Sequence, residues 1–359
     1  MRLVLISTPI GFLGSGKGGG VELTLNSLVT GLVSLGHYVE VVAPRNSKLF
    51  ESNKKAKIHF VEGEEQISWQ HQDYYSPVSI PDNSLLSAMI EKGIDIGKNA
   101  DILLNFSYDW LPIWMTLNLN IPIAHIISMG SESSAIKNLI SKVYKKYPYN
   151  FAFHSKTQAY DYPFIKKPII IGNGFQLDNY TFQDSIGGPL AWVGRVAPEK
   201  GLEDAAYVAN ELGEKLNVWG IIQDESYASK IEKSFSSGTI EWKGFLETDK
   251  LQKELGKCRA LLNTPKWNEA YGNVVVEAMA CGVPVIAYRR GGPSEIINHG
   301  ETGFLVEPND KDSMLSYLKN VNEINRRSCR DWVENNASTN IFASRVVSWL
   351  NRIIKEYKS

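Results

Sequence analysis

Short apolar runs, separated by longer stretches of helical period, recur along the whole 359-residue chain, and this alternation constrains the fold more than any other feature. Leu3–Ile6, Tyr38–Val42, Ile102–Leu104, Ile121–Ile127 and Ile169–Ile171 read as strands of a first half. Leu190–Val193, Val218–Ile222, Ala260–Leu262, Val283–Ala287 and Phe304–Val306 read as strands of a second. Several are apolar at nearly every position, as suits parallel strands covered on both faces. Val21–Leu35, Leu202–Leu212 and Val274–Ala280 carry helical patterns between them. Strand–helix alternation of this kind predicts α/β units built on parallel sheets.

The length suits two domains. A boundary is expected near Ile171-Gly-Asn-Gly-Phe175, where a strand-like run gives way to the polar segment Gln176–Gly188. The expected division is 1–172, 173–340 and a C-terminal helix over 341–359. Phe342, Val346, Trp349, Leu350, Ile353 and Ile354 fall at helical spacing in that helix, which must pack on something, the first domain being one candidate. A net charge of −1 supplies no global field for nucleic acid. Three scattered cysteines, Cys258, Cys281 and Cys329, make neither a disulfide framework nor a zinc cluster. No apolar run reaches the roughly 20 residues of a membrane span, and the N-terminal run reads as a buried strand rather than a signal peptide. A reduced, cytoplasmic protein is expected.

Ligands of open parallel sheets bind beyond the carboxyl ends of the strands, so the loops after strands are where chemistry is sought. Three stand out. Gly14-Ser-Gly-Lys-Gly-Gly-Gly20 lies between a strand and a helix, where glycines permit close backbone approach to a ligand. Gly11–Lys17 matches the spacing of a nucleotide-triphosphatase loop, but Gly18 stands where that loop needs Ser or Thr for magnesium. In Gly194-Arg195-Val-Ala-Pro-Glu-Lys200-Gly201 two cations flank a loop leading into a helix, a guanidinium fork and an ammonium suited to a diphosphate. In Glu269-Ala-Tyr-Gly-Asn-Val-Val-Val-Glu277 two carboxylates, acceptors for sugar or ribose hydroxyls, bracket Gly272 and a helix start.

The stretch Glu269–Ile297 resembles the signature of the retaining glycosyltransferases of family 4, the glycosyl transferases of group 1. The resemblance rests on the Glu-x7-Glu spacing, Glu277-Ala-Met-Ala-Cys-Gly-x-Pro-Val-Ile-Ala, and Gly291-Gly292-Pro-Ser-Glu295-Ile. Gly-Arg-x4-Lys-Gly at 194–201, Gly300-x-Thr-Gly-Phe-Leu-Val306 and Gly172-Asn-Gly-Phe-x-Leu-Asp178 add to it, as does Gly18-Gly-Gly-Val-Glu22 more thinly. Tyr271 sits where Phe is commoner and Ala270 where Pro often sits. The resemblance implies the GT-B fold, two facing Rossmann-like domains with a cleft between them, the first for the acceptor and the second for the donor. It implies that Arg195 and Lys200 meet the diphosphate, Glu277 the ribose and Glu269 the donor sugar. Backbone groups of Gly19, Gly20, Gly194, Tyr271, Gly272, Asn273 and Val274 would line the donor, and Phe245 would meet the base through its main chain. His125, at the end of a strand, resembles the family's histidine near the donor sugar. His125, Glu269, Arg195 and Lys200 are thus the candidate catalytic residues. No metal or other cofactor is implied.

The expected reaction moves a hexose, glucose from UDP-glucose in the first instance, to a hydroxyl acceptor. A pterin or a saccharide would suit the aromatics Trp69, Tyr74, Tyr75, Phe106, Tyr108, Trp110 and Trp114. The amphipathic, lysine-rich stretch Ala135–Tyr147 admits a peripheral membrane contact and a lipid acceptor, although a surface helix with a buried stripe is commoner. Alternatives are a lipid- or polysaccharide-directed mannosyl- or galactosyltransferase using GDP-mannose or UDP-galactose, and a nucleotide-sugar-binding protein without turnover. A sugar-nucleotide epimerase and an ATPase are disfavoured.

Overall fold

A computed structural model describes residues 1–50, 53–185 and 187–358. The chain divides into two compact units, residues 1–175 joined by the segment from Thr339 on, and residues 176–338.

The first unit runs β1 (Arg2–Ile6), α1 (Gly20–Ser34), β2 (Tyr38–Pro44), β3 (Lys57–Val61), α2 (Leu85–Gly97), β4 (Ile102–Asn105), α3 (Trp110–Met115), β5 (Ile123–Ile127), α4 (Ser134–Lys146), β6 (Phe151–Phe153), α5 (Lys156–Tyr160) and β7 (Ile169–Ile170). Among the described residues these strands form one seven-stranded parallel sheet in the order β3-β2-β1-β4-β5-β6-β7. The second unit runs β8 (Leu190–Val193), α6 (Leu202–Glu211), β9 (Leu216–Trp219), α7 (Glu225–Ser234), β10 (Ile240–Gly244), α8 (Thr248–Leu255), β11 (Ala260–Asn263), α9 (Asn273–Ala280), β12 (Val285–Tyr288), α10 (Pro293–Ile296), β13 (Gly303–Val306), α11 (Lys311–Asn320) and α12 (Arg326–Asn336). Its six-stranded parallel sheet has the order β10-β9-β8-β11-β12-β13. Both are doubly wound Rossmann-like sheets, with order reversing between β1 and β4 in one and between β8 and β11 in the other.

The central strands are apolar because helices cover both faces. β1, β4 and β5 are buried from Leu3, Ile102 and Ile123 onward. The last helix, α13 (Thr339–Lys358), returns to the first unit. Phe342, Val346, Trp349, Leu350 and Ile353 join Leu25, Leu28 and Leu32 of α1 in one apolar core. The approach is close: a Cβ on Gly31 would lie 2.5 Å from that of Ala343.

Several strands shift by a residue or more from their sequence-based ranges, and two of the shifts have a plain local cause. Val218–Ile222 was expected as a unit, but β9 ends at Trp219. Gly220 turns the chain with φ 146°, and a Cβ there would lie 1.8 Å from the Gly194 carbonyl oxygen. Ile221 and Ile222 then emerge on the surface. The run expected from Ile121 begins instead at Ile123, just after Pro122, which has no N–H to donate to a ladder.

Candidate active site

In the second unit β8 and β11 are neighbours, while β9 continues the sheet to one side and β12 to the other. The connections after β8 and β11 therefore leave in opposite directions and open a crevice at the carboxyl end of the sheet. The loop after β8 carries Gly194, Arg195 and Lys200; the loop after β11 carries Glu269, Tyr271 and Gly272. The two loops are laced together. The Lys266 N–H donates to the Glu199 carbonyl at 2.8 Å, and the Thr264 hydroxyl donates to the Gly201 carbonyl at 2.7 Å. Gly201, at φ 66°, tolerates this approach because a Cβ would lie 2.0 Å from the Thr264 carbonyl oxygen.

This lacing brings Lys200 and Glu269 together. Lys200 Nζ donates to Glu269 Oε1 at 2.6 Å and stands 4.9 Å from the centre of the Trp267 ring. Both side chains are largely but not wholly buried, so the pair is held yet reachable. The Arg195 guanidinium pairs with the Glu199 carboxylate at 3.1 Å and with the Gln223 amide oxygen. Each cation thus has a carboxylate partner of its own. A diphosphate arriving here would meet two charges already fixed in place. Lys266, braced by Glu203 at 3.1 Å and Asp204 at 3.0 Å, anchors the second loop; Tyr288 adds a hydroxyl to Asp204 at 2.9 Å.

The second carboxylate is positioned by α9. Gly272, at φ 98°, precedes this helix and accepts the Val275 N–H at 3.0 Å, and the helix N-terminus turns the positive end of its dipole toward the loop. The turn is shaped by the glycines flagged in sequence. The Gly292 N–H donates to the Glu269 carbonyl at 2.8 Å, and a Cβ on Gly291 would lie 2.5 Å from the Glu269 backbone N and O. One helical turn into α9, Glu277 accepts a hydrogen bond from the Tyr180 hydroxyl at 3.1 Å. Burial pushes its pKa up to about 7, against the pull of that hydrogen bond. Phe245 lies 60% exposed in the loop after β10.

In the first unit two expectations change. His125 is not at a strand end: β5 continues through Ile126 and Ile127. Its ring is fully buried, with Nδ1 3.1 Å from the Asn105 amide nitrogen and Nε2 2.7 Å from the Thr116 hydroxyl. It stacks on Phe151, and burial lowers its pKa to about 3. Both ring nitrogens are engaged inside the unit. The glycine loop is also different from a phosphate cradle: the amides of Gly14, Gly16 and Gly18 all point at the carboxylate of Glu22. Gly19 and Gly20 follow at the N-terminus of α1. The aromatics divide, Trp69, Phe106 and Tyr108 being buried and Tyr74, Tyr75 and Trp114 exposed. On α4 the apolar stripe Ile136, Leu139, Ile140 and Val143 is buried in the unit's core. No helix among the described residues is long and apolar enough to cross a membrane.

Known proteins share part of this sequence and this fold. Residues 190–339, the span of the second sheet and its helices, match the family model described as glycosyl transferases group 1. Over these residues the chain is similar to the glycosyl transferases of group 1. The chain is similar to the sulfoquinovosyl transferase SQD2 of Arabidopsis thaliana, 34% identical over 132 residues, covering 36% of this chain and 25% of that protein. The matches to the first curated relatives span a third or less of their own length. Among solved structures, sucrose-phosphate synthase from Thermosynechococcus elongatus superposes with a TM-score of 0.77 at 16% identity, covering 99% of this chain and 100% of that one. HepE from Anabaena, in complex with UDP-glucose, superposes with a TM-score of 0.73 at 15% identity, covering 98% and 100%. The two Rossmann-like units are those of the GT-B fold.

Within the second unit, the structure brings Gly194, Arg195, Lys200, Glu269, Tyr271 and Gly272 onto one pair of loops and sets Asn273, Val274 and Glu277 on the helix that follows. Sequence reasoning missed Tyr180, Trp267, Asp204 and Lys266. Tyr180 lies 97 positions before its partner Glu277, a separation that no motif spacing reveals. Trp267 was closer to hand, an aromatic two residues before Glu269.

Proposed function

We propose that the chain transfers a hexose from a nucleotide sugar to a hydroxyl acceptor with retention of anomeric configuration, UDP-glucose being the first donor to test. The observation that carries this reading is the Lys200–Glu269 pair, an ammonium and a carboxylate 2.6 Å apart on the two loops of the β8–β11 switch point. In the proposed reaction the bond between the anomeric carbon and the β-phosphate oxygen breaks, and the acceptor oxygen bonds to that carbon. The acceptor proton passes to the departing phosphate oxygen on the same face, leaving a nucleoside diphosphate. Lys200 and Arg195 take up the charge growing on that phosphate, helped by the N-terminal amides of α9. Glu269 shares its remaining lone pairs with donor-sugar hydroxyls, and Glu277 accepts from the ribose. Glu269 is a binding group here and not a nucleophile, since its carboxylate is tied to Lys200.

UDP-glucose is favoured because HepE, which shares the fold, is described with that donor bound. The acceptor is proposed as a small hydroxyl compound or saccharide. The test is a panel of UDP-glucose, UDP-galactose and GDP-mannose, read by thermal shift and by nucleotide release. A ligand that binds only the folded state raises the melting temperature. The reading predicts a shift and slow nucleoside diphosphate release with one donor. No shift and no release with any of them, at saturating donor and with saccharide acceptors present, would refute it.

A further inference from the structure

The loop between β1 and α1 holds a buried carboxylate whose surroundings are unusual. Glu22 is 7% exposed and has no basic side chain within salt-bridge distance among the described residues. Its charge is met by hydrogen-bond donors from one short segment. Glu22 Oε2 accepts from the Gly14 N–H at 2.6 Å and the Gly16 N–H at 3.3 Å. Glu22 Oε1 accepts from the Gly18 N–H at 2.8 Å and the Ser15 hydroxyl at 3.0 Å. Gly14 and Gly16 adopt φ of 97° and 77°, and this left-handed backbone turns alternate amides inward. Such a curl of N–H groups is an anion-binding nest. In this chain the nest is filled by a side chain of the helix that the loop introduces. Gly18 must lack a side chain, because a Cβ would stand 2.9 Å from Glu22 Cγ.

We infer that Glu22 is a positioning residue: it serves as a built-in anion that folds the 14–18 loop onto itself and so fixes the Gly19–Gly20 helix start. The Gly19 N–H is bound to the Gly16 carbonyl at 3.2 Å, so the helix entry is tied to the nest. Gly20 is the first residue of α1, at the carboxyl end of β1 beside the switch point with β4. The functional consequence rests on the transferase reading and on the donor-lining role that the family resemblance implies for Gly19 and Gly20; the structural consequence does not.

Glu22→Gln separates this inference from simple packing. A carboxamide fills the same space, but whichever way it turns its NH2 group meets a backbone N–H, of Gly14 and Gly16 or of Gly18, donor against donor. The test measures amide hydrogen exchange of the 14–20 segment in wild type, Glu22→Gln and Glu22→Ala, with and without added formate or acetate. Loss of hydrogen bonds to a charged acceptor predicts exchange faster by about tenfold or more in both variants, from roughly 1.5–3 kcal/mol per such bond. Formate or acetate, entering the emptied nest, is predicted to slow exchange again in Glu22→Ala and to leave wild type unchanged. Glu22→Gln behaving as wild type, or Glu22→Ala responding to neither anion, would overturn the inference. If Glu22→Ala does not fold, Glu22→Asp replaces it: the shorter carboxylate is predicted to keep partial protection, and protection no better than in Glu22→Gln overturns the inference. With an active donor in hand, the same anions are predicted to restore turnover to Glu22→Ala by about tenfold. The exchange readout needs no turnover, so failure of the transferase reading and failure of the nest are told apart.

Discussion

Replacing Glu277 by glutamine is predicted to stabilise the fold at alkaline pH while removing donor binding. The carboxyl holds its proton up to about 7 instead of 4.5 because burial disfavours its charge. A folded-state pKa raised above the unfolded one means that stability is fullest below the ordinary value and is lost as pH rises through about 7. At about 1.4 kcal/mol per tenfold change in proton affinity, the ionised carboxylate costs roughly 3 kcal/mol at pH 8. Glutamine removes that cost but weakens the hydrogen bond from Tyr180, a loss of about 1 kcal/mol. The net gain is about 2 kcal/mol at pH 8 and close to nothing at pH 5, where the wild-type group is already protonated. For a domain of this size that is a melting temperature higher by roughly 4–8 °C at pH 8. Thermal melts of both proteins at pH 5 and pH 8, with and without UDP-glucose, decide the matter. A variant that melts lower than wild type at pH 8, or whose difference from wild type does not change between the two pH values, would refute the reasoning. So would a variant that keeps its shift with donor, since the proposed contact with the ribose would then be absent.

Other outcomes follow from the same geometry. Lys200→Ala is predicted to lower kcat by about 10²–10³, as for loss of one fixed donor to a developing oxyanion, while shifting stability by no more than about 1–2 kcal/mol, since the pair is not fully buried; steady-state kinetics and a melt check both. Gly291→Ala forces a Cβ to within 2.5 Å of the Glu269 backbone at a left-handed φ, and a melting curve is predicted to show a loss of about 1–3 kcal/mol together with a raised donor KM. His125→Phe is predicted to lower stability by leaving the Asn105 and Thr116 groups without their partner, by about 1–3 kcal/mol, yet to keep kcat within a few-fold, measured on the folded fraction; a hundredfold loss of kcat would restore a catalytic role to this ring. Because burial holds the His125 pKa at about 3, its NMR titration is predicted to be flat from pH 5 to 8.

Much of the architecture was legible because parallel strands buried on both faces leave an uninterrupted apolar signature. That signal fades at sheet edges. Lys57–Val61 and Ile240–Gly244 are edge strands whose residues are only partly buried, so they carry polar side chains and escaped notice. Phe151–Phe153 is too short to stand out. In the site, Arg195, Lys200, Glu269 and Gly272 could be found because each lies directly after a strand or before a helix, in a local motif. Tyr180 and the Glu22 nest could not. Tyr180 meets Glu277 only through folding, and Glu22 meets Gly14 eight residues away only because the glycines curl the loop back. The packing of His125 could not be read either, since Asn105 and Thr116 reach its ring only through folding.

The central claim is electrostatic: two fixed cations on the loop after β8 absorb the charge of a departing nucleoside diphosphate. It is tested most directly by measuring nucleoside diphosphate release from the donor that wild type accepts, in wild type and in the Arg195→Ala, Lys200→Ala double variant, with melting curves to confirm folding. The account predicts that the double variant stays folded and releases product at least about 10³-fold more slowly. Release at a rate near that of wild type from a folded double variant would contradict it.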